Sequence, residues 1–79
     1  MEWLDKLITL GDNTQVVILQ HTMYEGNIYV LANEVINGTQ LGEEKTLYRV
    51  ENPDGNPRFV PEANLWTCSK VLWKMSKEE

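Results

Sequence analysis

The feature that most constrains the fold is residues 15–36, QVVILQHTMYEGNIYVLANEVI. Two runs rich in aliphatic and β-branched residues flank the tetrapeptide YEGN at 24–27, a composition typical of a tight reversal between antiparallel strands. The run at 16–19 is apolar at every position, as expected for a strand covered on both faces. The sequence therefore predicts a β-hairpin in the middle of a sheet. Its apolar strands lie at 16–19 and 28–32, and the first continues as a polar strand through residues 20–22.

Further strands are predicted on either side of this hairpin. Residues 7–10 form a short first strand that ends in the turn-forming run GDNT. The polar pair at 33–34 indicates either a bulge before residues 35–36 or the point at which the strand emerges into solvent. Residues 37–44, with two glycines and two acids, predict a long loop. Residues 45–51 and 58–60 then form a fourth and a fifth strand, separated by a turn that contains proline and glycine.

The C-terminal segment allows two interpretations. Leu65, Cys68, Leu72 and Met75 follow one another at spacings of three and four, which predicts the apolar stripe of a helix with Asn64 as its N-cap. Read with a period of two, alternate residues from 67 to 75 line one face of a strand instead. We favour the helix because the spacing match is long and the lysines fall off the stripe. The predicted fold is α+β, a small antiparallel meander of four to five strands with a C-terminal helix packed on one face.

Composition narrows the classes of function. The chain has 79 residues, predicted to form a single domain over 1–79, with a formal net charge of −5, which argues against binding to a nucleic-acid backbone. No apolar run approaches the roughly 20 residues that span a membrane. A single cysteine excludes an internal disulfide and a multi-cysteine zinc site. The acidic start lacks the basic lead of a secretory signal, so we expect a cytoplasmic location.

The order of these elements resembles that of a family of short, acidic bacterial proteins, a domain of unknown function common in Gram-positive bacteria. The resemblance rests on ITL at 8–10, YEG at 24–26, YVL at 29–31, LYRVE at 47–51 and DG at 54–55. It implies the same arrangement of strands and final helix, and no activity. The tryptophan-rich C-terminal segment departs from the family pattern, in which this region carries more Glu and Asp.

No constellation typical of an enzyme is present in the sequence. The five glycines occur singly and form no phosphate-binding loop. Cys68 and His21 are the only candidates for a nucleophile and its base, and neither lies in a recognisable motif. A lone cysteine on the apolar stripe of a helix is usually a small core residue. We therefore expect a protein that is not an enzyme and that uses no metal or cofactor.

Three tryptophans in 79 residues is a high number. On the helix, Trp66 and Trp73 are seven residues apart and share one face, beside the stripe that ends at Met75. Residues 1–6 are expected to form a short helical turn or an extended lead-in, and Trp3 joins the other tryptophans if a turn there packs nearby. These aromatic side chains either cover the sheet or form an interaction surface, and tryptophan is enriched at interface hot spots. We take Trp66, Trp73, Met75 and Trp3 as the candidate interaction surface and leave the core alternative open.

The predicted function is a non-enzymatic protein–protein interaction module whose simplest partner is a second copy of itself, a homodimer. A narrower form is an inhibitor encoded by a phage or mobile element, which covers the basic cleft of a host defence factor with acidic surface. The alternative is a domain that binds or sequesters a metabolite or nucleotide, with Tyr48 and Arg49 supplying stacking and an anion contact.

Overall fold

A computed structural model of the chain describes residues 6–38 and 40–78. These residues form five strands and one helix: β1 Leu7–Thr9, β2 Gln15–Tyr24, β3 Asn27–Ile36, β4 Gln40–Glu51, β5 Arg58–Pro61 and α1 Leu65–Glu78. The strands lie in the sheet in chain order, and each is antiparallel to the next. The predicted α+β meander is confirmed, and the C-terminal segment is the helix rather than the alternative strand.

The β2–β3 hairpin closes through a two-residue turn. Tyr24 pairs with Asn27, which leaves only Glu25 and Gly26 in the turn. Both residues have positive φ, 49° and 81°, as in the type I′ turn whose twist matches that of the flanking strands. As predicted, β2 continues through its polar residues, and it extends as far as Tyr24, with a bulge that follows Ile18.

The predicted loop at 37–44 is wrong, because β4 begins at Gln40. The predicted bulge is confirmed, since the register of β3 against β4 shifts between Asn33 and Val35. The buried Asn33 side chain donates hydrogen bonds to the carbonyls of Gly42 and Glu44, at 2.6 and 3.3 Å. Pairing with β3 and these amide contacts therefore hold in the sheet a segment whose glycine and acids favour a loop.

Both faces of the sheet carry apolar side chains. The face of the sheet opposite the helix is called the far face. A buried cluster on it is formed by Val16, Ile18, Val30, Ala32, Tyr48 and Val50. On the helix face, Tyr29 and Leu47 pack with Val71 and Met75 of α1. Because successive strand residues point to opposite faces, β3 and β4 contribute to both clusters. The helix packs on one face only, as predicted.

Candidate functional site

The helix α1 begins at a capping residue. The Asn64 Oδ1 accepts a hydrogen bond from the Thr67 N–H at 3.1 Å, and the Asn64 carbonyl accepts one from the Cys68 N–H at 3.0 Å. A side-chain oxygen at this position satisfies an N–H group for which the first turn of a helix has no partner. The predicted N-cap is therefore confirmed.

Glu62 holds the start of α1 against the sheet. Its Oε1 accepts hydrogen bonds from the Tyr29 hydroxyl at 3.2 Å and from Arg49 Nη1 at 3.3 Å, and its Oε2 accepts one from the Asn64 N–H at 3.2 Å. The Glu62 side chain is only 10 % exposed, so these donors replace the water that burial removes. Burial, with the nearby carboxylate, raises the pKa of the Tyr29 hydroxyl, which keeps it protonated as a donor.

Polar contacts with β2 hold the C-terminal half of α1. They join Gln20 Nε2 to the Met75 carbonyl at 2.7 Å, the Thr22 hydroxyl to the Glu78 carboxylate, and the Lys74 ammonium to the Met23 carbonyl. Because the helix is held at both ends, its rotation about its own axis is set. One face of α1 must then point at the sheet and the opposite face at solvent.

The inner face of α1 consists of Cys68, Val71 and Met75. Val71 is 0 % exposed and Met75 2 %. The predicted apolar stripe is correct for Cys68 and Met75. It is wrong for Leu65 and Leu72, which are exposed, and Val71 takes the central inward position instead. Met75 was predicted to belong to the interaction surface, and this is also wrong, since it packs under the helix against the sheet.

The outer face of α1 consists of Trp66, Ser69, Lys70, Trp73 and Lys77. The two tryptophans are 69 % and 61 % exposed, so they do not cover the sheet. The Lys70 Nζ lies 4.6 Å from the Trp66 ring centroid, and the Lys77 Nζ lies 4.3 Å from that of Trp73, both within cation–π range. A shallow groove of about 310 Å³ is lined by both rings together with Ser69 and Lys70.

Apolar surface continues beside the outer face. Leu65 is 83 % and Leu72 41 % exposed, and both lie on one flank of the tryptophans at the 100° per residue of an α-helix. Trp3, the remaining predicted member of the surface, lies outside the described residues. The exposed apolar area of α1 therefore comprises two tryptophans and two leucines.

The sequence prediction missed the two lysines of the outer face. Each follows its tryptophan by four residues, as in Trp66 and Lys70, a spacing that places side chains next to each other on a helix. This spacing was a sufficient signal. That the lysines fall off the apolar stripe does not by itself connect them with the aromatic rings.

Tyr48 and Arg49, predicted to contact one ligand together, are not brought together by the structure. As neighbours on β4 they point to opposite faces of the sheet. Tyr48 is buried in the far-face cluster, and Arg49 forms ion pairs with Glu51 and Glu62, both at 3.3 Å. The guanidinium that we assigned to an anion is already paired with two carboxylates, so the prediction is wrong.

Cys68 and His21 do not form a catalytic pair. Cys68 lies on the helix face of the sheet, whereas His21 pairs with Val30 and so lies on the far face. Burial, with a smaller effect of Glu62, raises the pKa of the Cys68 thiol, and its Sγ lies 3.4 Å from the Glu62 carbonyl as a donor. A protonated, hydrogen-bonded thiol is a poor nucleophile, so Cys68 has the properties of a core residue.

A cavity bounded by the described residues lies between the two edge strands. Its volume is about 670 Å³, and its lining includes Ile8 and Leu10 from the β1 side and Arg58 and Phe59 from β5. The sheet curves enough for these two edges to approach each other. Neither Tyr48 nor Arg49 lines this cavity.

Comparison with known proteins finds no matching family model, no matching curated protein and no matching solved structure. The resemblance to the family of short acidic bacterial proteins, the inhibitor role and the cytoplasmic location therefore stay predictions. The helix α1 is neither long enough nor apolar enough to cross a membrane. Within 6–38 and 40–78, no group of three or more His, Cys, Asp or Glu side chains could hold a metal ion.

Proposed function

We propose that this chain is a protein-interaction module that binds its partner through the outer face of α1. The observation that carries the proposal is the position of Trp66 and Trp73, 69 % and 61 % exposed, on a helix whose opposite face meets the packing needs of the fold. Other side chains, chiefly Val71 and Met75, attach the helix to the sheet. The two tryptophans are therefore available to a partner.

The energy at stake is large for so small a surface. Full burial of an aromatic side chain removes about 150–250 Å² from water, worth roughly 4–6 kcal/mol at 25 cal/mol per Å². More than half of each tryptophan is still exposed, so more than half of this free energy is gained only when a partner covers the ring. Residues of this type in the centre of an apolar patch are the ones that dominate binding energies at interfaces.

The fixed rotation of α1 supports the same function. Glu62 and Asn64 fasten its first turn, and Gln20 fastens its last turns through the Met75 carbonyl at 2.7 Å. A surface on a rigid element loses little conformational entropy when it binds, which improves affinity. The groove between the rings is shallow and open, a shape that suits a protruding side chain better than an enclosed small molecule.

Photo-crosslinking in the organism of origin tests this function. We would replace Trp73 with p-benzoylphenylalanine and, as a matched control, His21, which is exposed on the far face. The proposal predicts a covalent adduct of defined mass from position 73, absent from position 21, that disappears when Trp66→Ala is added. An adduct unaffected by Trp66→Ala, or equal adducts from both positions, would contradict it.

A second candidate function is the binding of a small organic anion in the cavity between β1 and β5. Such a ligand has an apolar body and one anionic group. Its volume of about 670 Å³ lies within the usual range for ligand sites, about 300–1,000 Å³. The walls are largely apolar, and Arg58 supplies a cation. A ligand that binds the folded chain raises its melting temperature. A panel of nucleotides and organic acids that produces no rise, or a rise that Arg58→Ala leaves unchanged, would count against this function.

A further inference from the structure

We infer that the partner of the outer α1 face presents an acidic amphipathic helix rather than a second copy of this chain. The inference rests on the proposed function and specifies the chemistry of the partner. It is carried by the charges and the geometry of the outer face.

Positive charge is concentrated on the outer face of a chain that is otherwise acidic. The helix α1 carries three lysines against one glutamate, while the whole chain carries a net charge of −5. Two charged side chains of α1 are hydrogen-bonded to β2, Lys74 to the Met23 carbonyl and Glu78 to the Thr22 hydroxyl. Lys70 and Lys77 are then the charges that the described part of the outer face presents to a partner, and both are positive.

The lysines and tryptophans form two equivalent units. Each ring has an ammonium over it, at 4.6 Å for Trp66 and 4.3 Å for Trp73. An apolar side chain of the partner can pack against such a ring, and a carboxylate beside it can form an ion pair with the ammonium. The units repeat after seven residues, or about 10 Å along the helix axis. A partner helix offers the same repeat through apolar residues at i and i+7, flanked by acids.

A helix suits this surface better than an extended strand. The backbone groups of α1 are hydrogen-bonded within the helix, so an extended strand cannot form backbone hydrogen bonds with it. Contact with α1 must therefore be made by side chains. Two helices pack by placing side-chain ridges into grooves. Ser69, which lies between Trp66 and Trp73 in the lining of the groove, is small enough to let a partner helix approach closely.

A second copy of this chain fits the surface poorly. Lys70 lines the groove between the two tryptophans, so a twofold axis through the groove would place it against the same lysine of the other copy. No acidic side chain among the described residues lies on the outer face to compensate. Like charges placed opposite each other at an interface are unfavourable. An anionic membrane would also attract these lysines, but it is an extended surface that would also face residues 1–64, with ten acids against four bases. A single acidic helix needs to contact only the outer face.

Calorimetric titration of the full chain with synthetic peptides tests the inference. The probe is a capped 18-residue peptide with leucines along one helical stripe and glutamates on the flanks, and its control has lysine at every glutamate. We expect the acidic peptide to bind at least about tenfold more tightly, with an affinity that falls as salt rises. In Lys70→Glu/Lys77→Glu the preference should reverse. The control Lys6→Glu/Lys45→Glu changes the net charge by the same amount at exposed sites off the helix. It should retain the preference for the acidic peptide.

Several results would overturn the inference. They are the absence of binding by the acidic peptide, equal binding of both peptides, and an equal loss of affinity in the two double variants. Tighter binding to phosphatidylglycerol vesicles than to the peptide would assign the surface to a membrane. A mass near 18 kDa by light scattering that returns to 9 kDa in Trp66→Ala/Trp73→Ala would assign it to a second copy. If the photo-crosslinked adduct depends on Trp66 but not on the lysines, the proposed function stands and this inference fails.

Discussion

The inner and outer faces of α1 both carry apolar side chains, but only the inner face is buried. Val71 and Met75 on the inner face are buried against the sheet, whereas Trp66 and Trp73 on the outer face are mostly exposed. The difference does not follow from hydrophobicity, since tryptophan is the larger apolar group. It follows from the polar contacts that hold each end of the helix. In so small a domain, fixing one helix face against the sheet leaves the opposite face for another molecule.

The largest effect expected from this comparison is at the centre of the inner face. Met75→Ala removes a side chain that is 2 % exposed, and such truncations cost about 2–5 kcal/mol in the free energy of unfolding. Urea unfolding followed by far-UV circular dichroism measures the loss. Met75→Leu, of similar volume, should cost less than about 1.5 kcal/mol. A loss below about 1 kcal/mol for Met75→Ala would mean that the inner face does not hold the helix.

A smaller effect is expected where the helix start meets the sheet. Glu62→Gln removes the ion pair with Arg49 and disturbs the hydrogen bonds from Tyr29 and Asn64, for which we expect a loss of about 1–2 kcal/mol in unfolding free energy. Glu51→Gln is the matched control, because it also removes an ion pair with Arg49, and its side chain is 45 % exposed. An exposed pair contributes about 0–1 kcal/mol. Equal losses in the two variants would contradict the role of Glu62.

The thiol of Cys68 reports on the inner face without any mutation. Because its pKa is raised by burial, less thiolate is present at pH 8 than for an ordinary cysteine, and alkylation by iodoacetamide should be slower. Its rate should keep rising with pH beyond the usual cysteine range near 8.5. The chain unfolded in urea is the control and should react faster at pH 8. Equal rates in the folded and unfolded chain would show that the inner face is open to solvent.

Much of the fold was predictable because its signals are local. The hairpin depends on β-branched runs around Glu25 and Gly26, and the start of the helix on Asn64, all readable from neighbouring residues. The β4 extension from Gln40 was not predictable from propensity, because its glycine and acids favour a loop. It is held by pairing with β3 and by the Asn33 amide, which contacts carbonyls nine and eleven residues away.

The candidate site was predictable only in part. Trp66 and Trp73 could be placed together on one face from their spacing alone. The rotation of α1 could not be predicted, because Leu65 and Leu72 compete with Val71 for the inward position. The choice is made by contacts such as that from Gln20 to Met75, which are 55 residues apart in the chain. Met75 was therefore placed both on the apolar stripe, which is correct, and in the interaction surface, which is wrong.

The smallest effect on stability is expected at the outer face. In Trp66→Ala/Trp73→Ala the exposed cation–π contacts are lost, at about 0.5–1 kcal/mol each. The higher helix propensity of alanine offsets part of this loss by a few tenths of a kcal/mol per site. The net change in the free energy of unfolding should be below about 1.5 kcal/mol, with an unchanged far-UV spectrum.

The most direct test of the account is this double variant, measured by urea unfolding beside Met75→Ala under the same conditions. The account predicts that removing two tryptophans from the outer face costs less free energy of unfolding than removing one methionine side chain from the inner face. A loss in Trp66→Ala/Trp73→Ala equal to or greater than that in Met75→Ala would contradict it. The tryptophans would then belong to the fold, and the outer face of α1 would no longer be available to a partner.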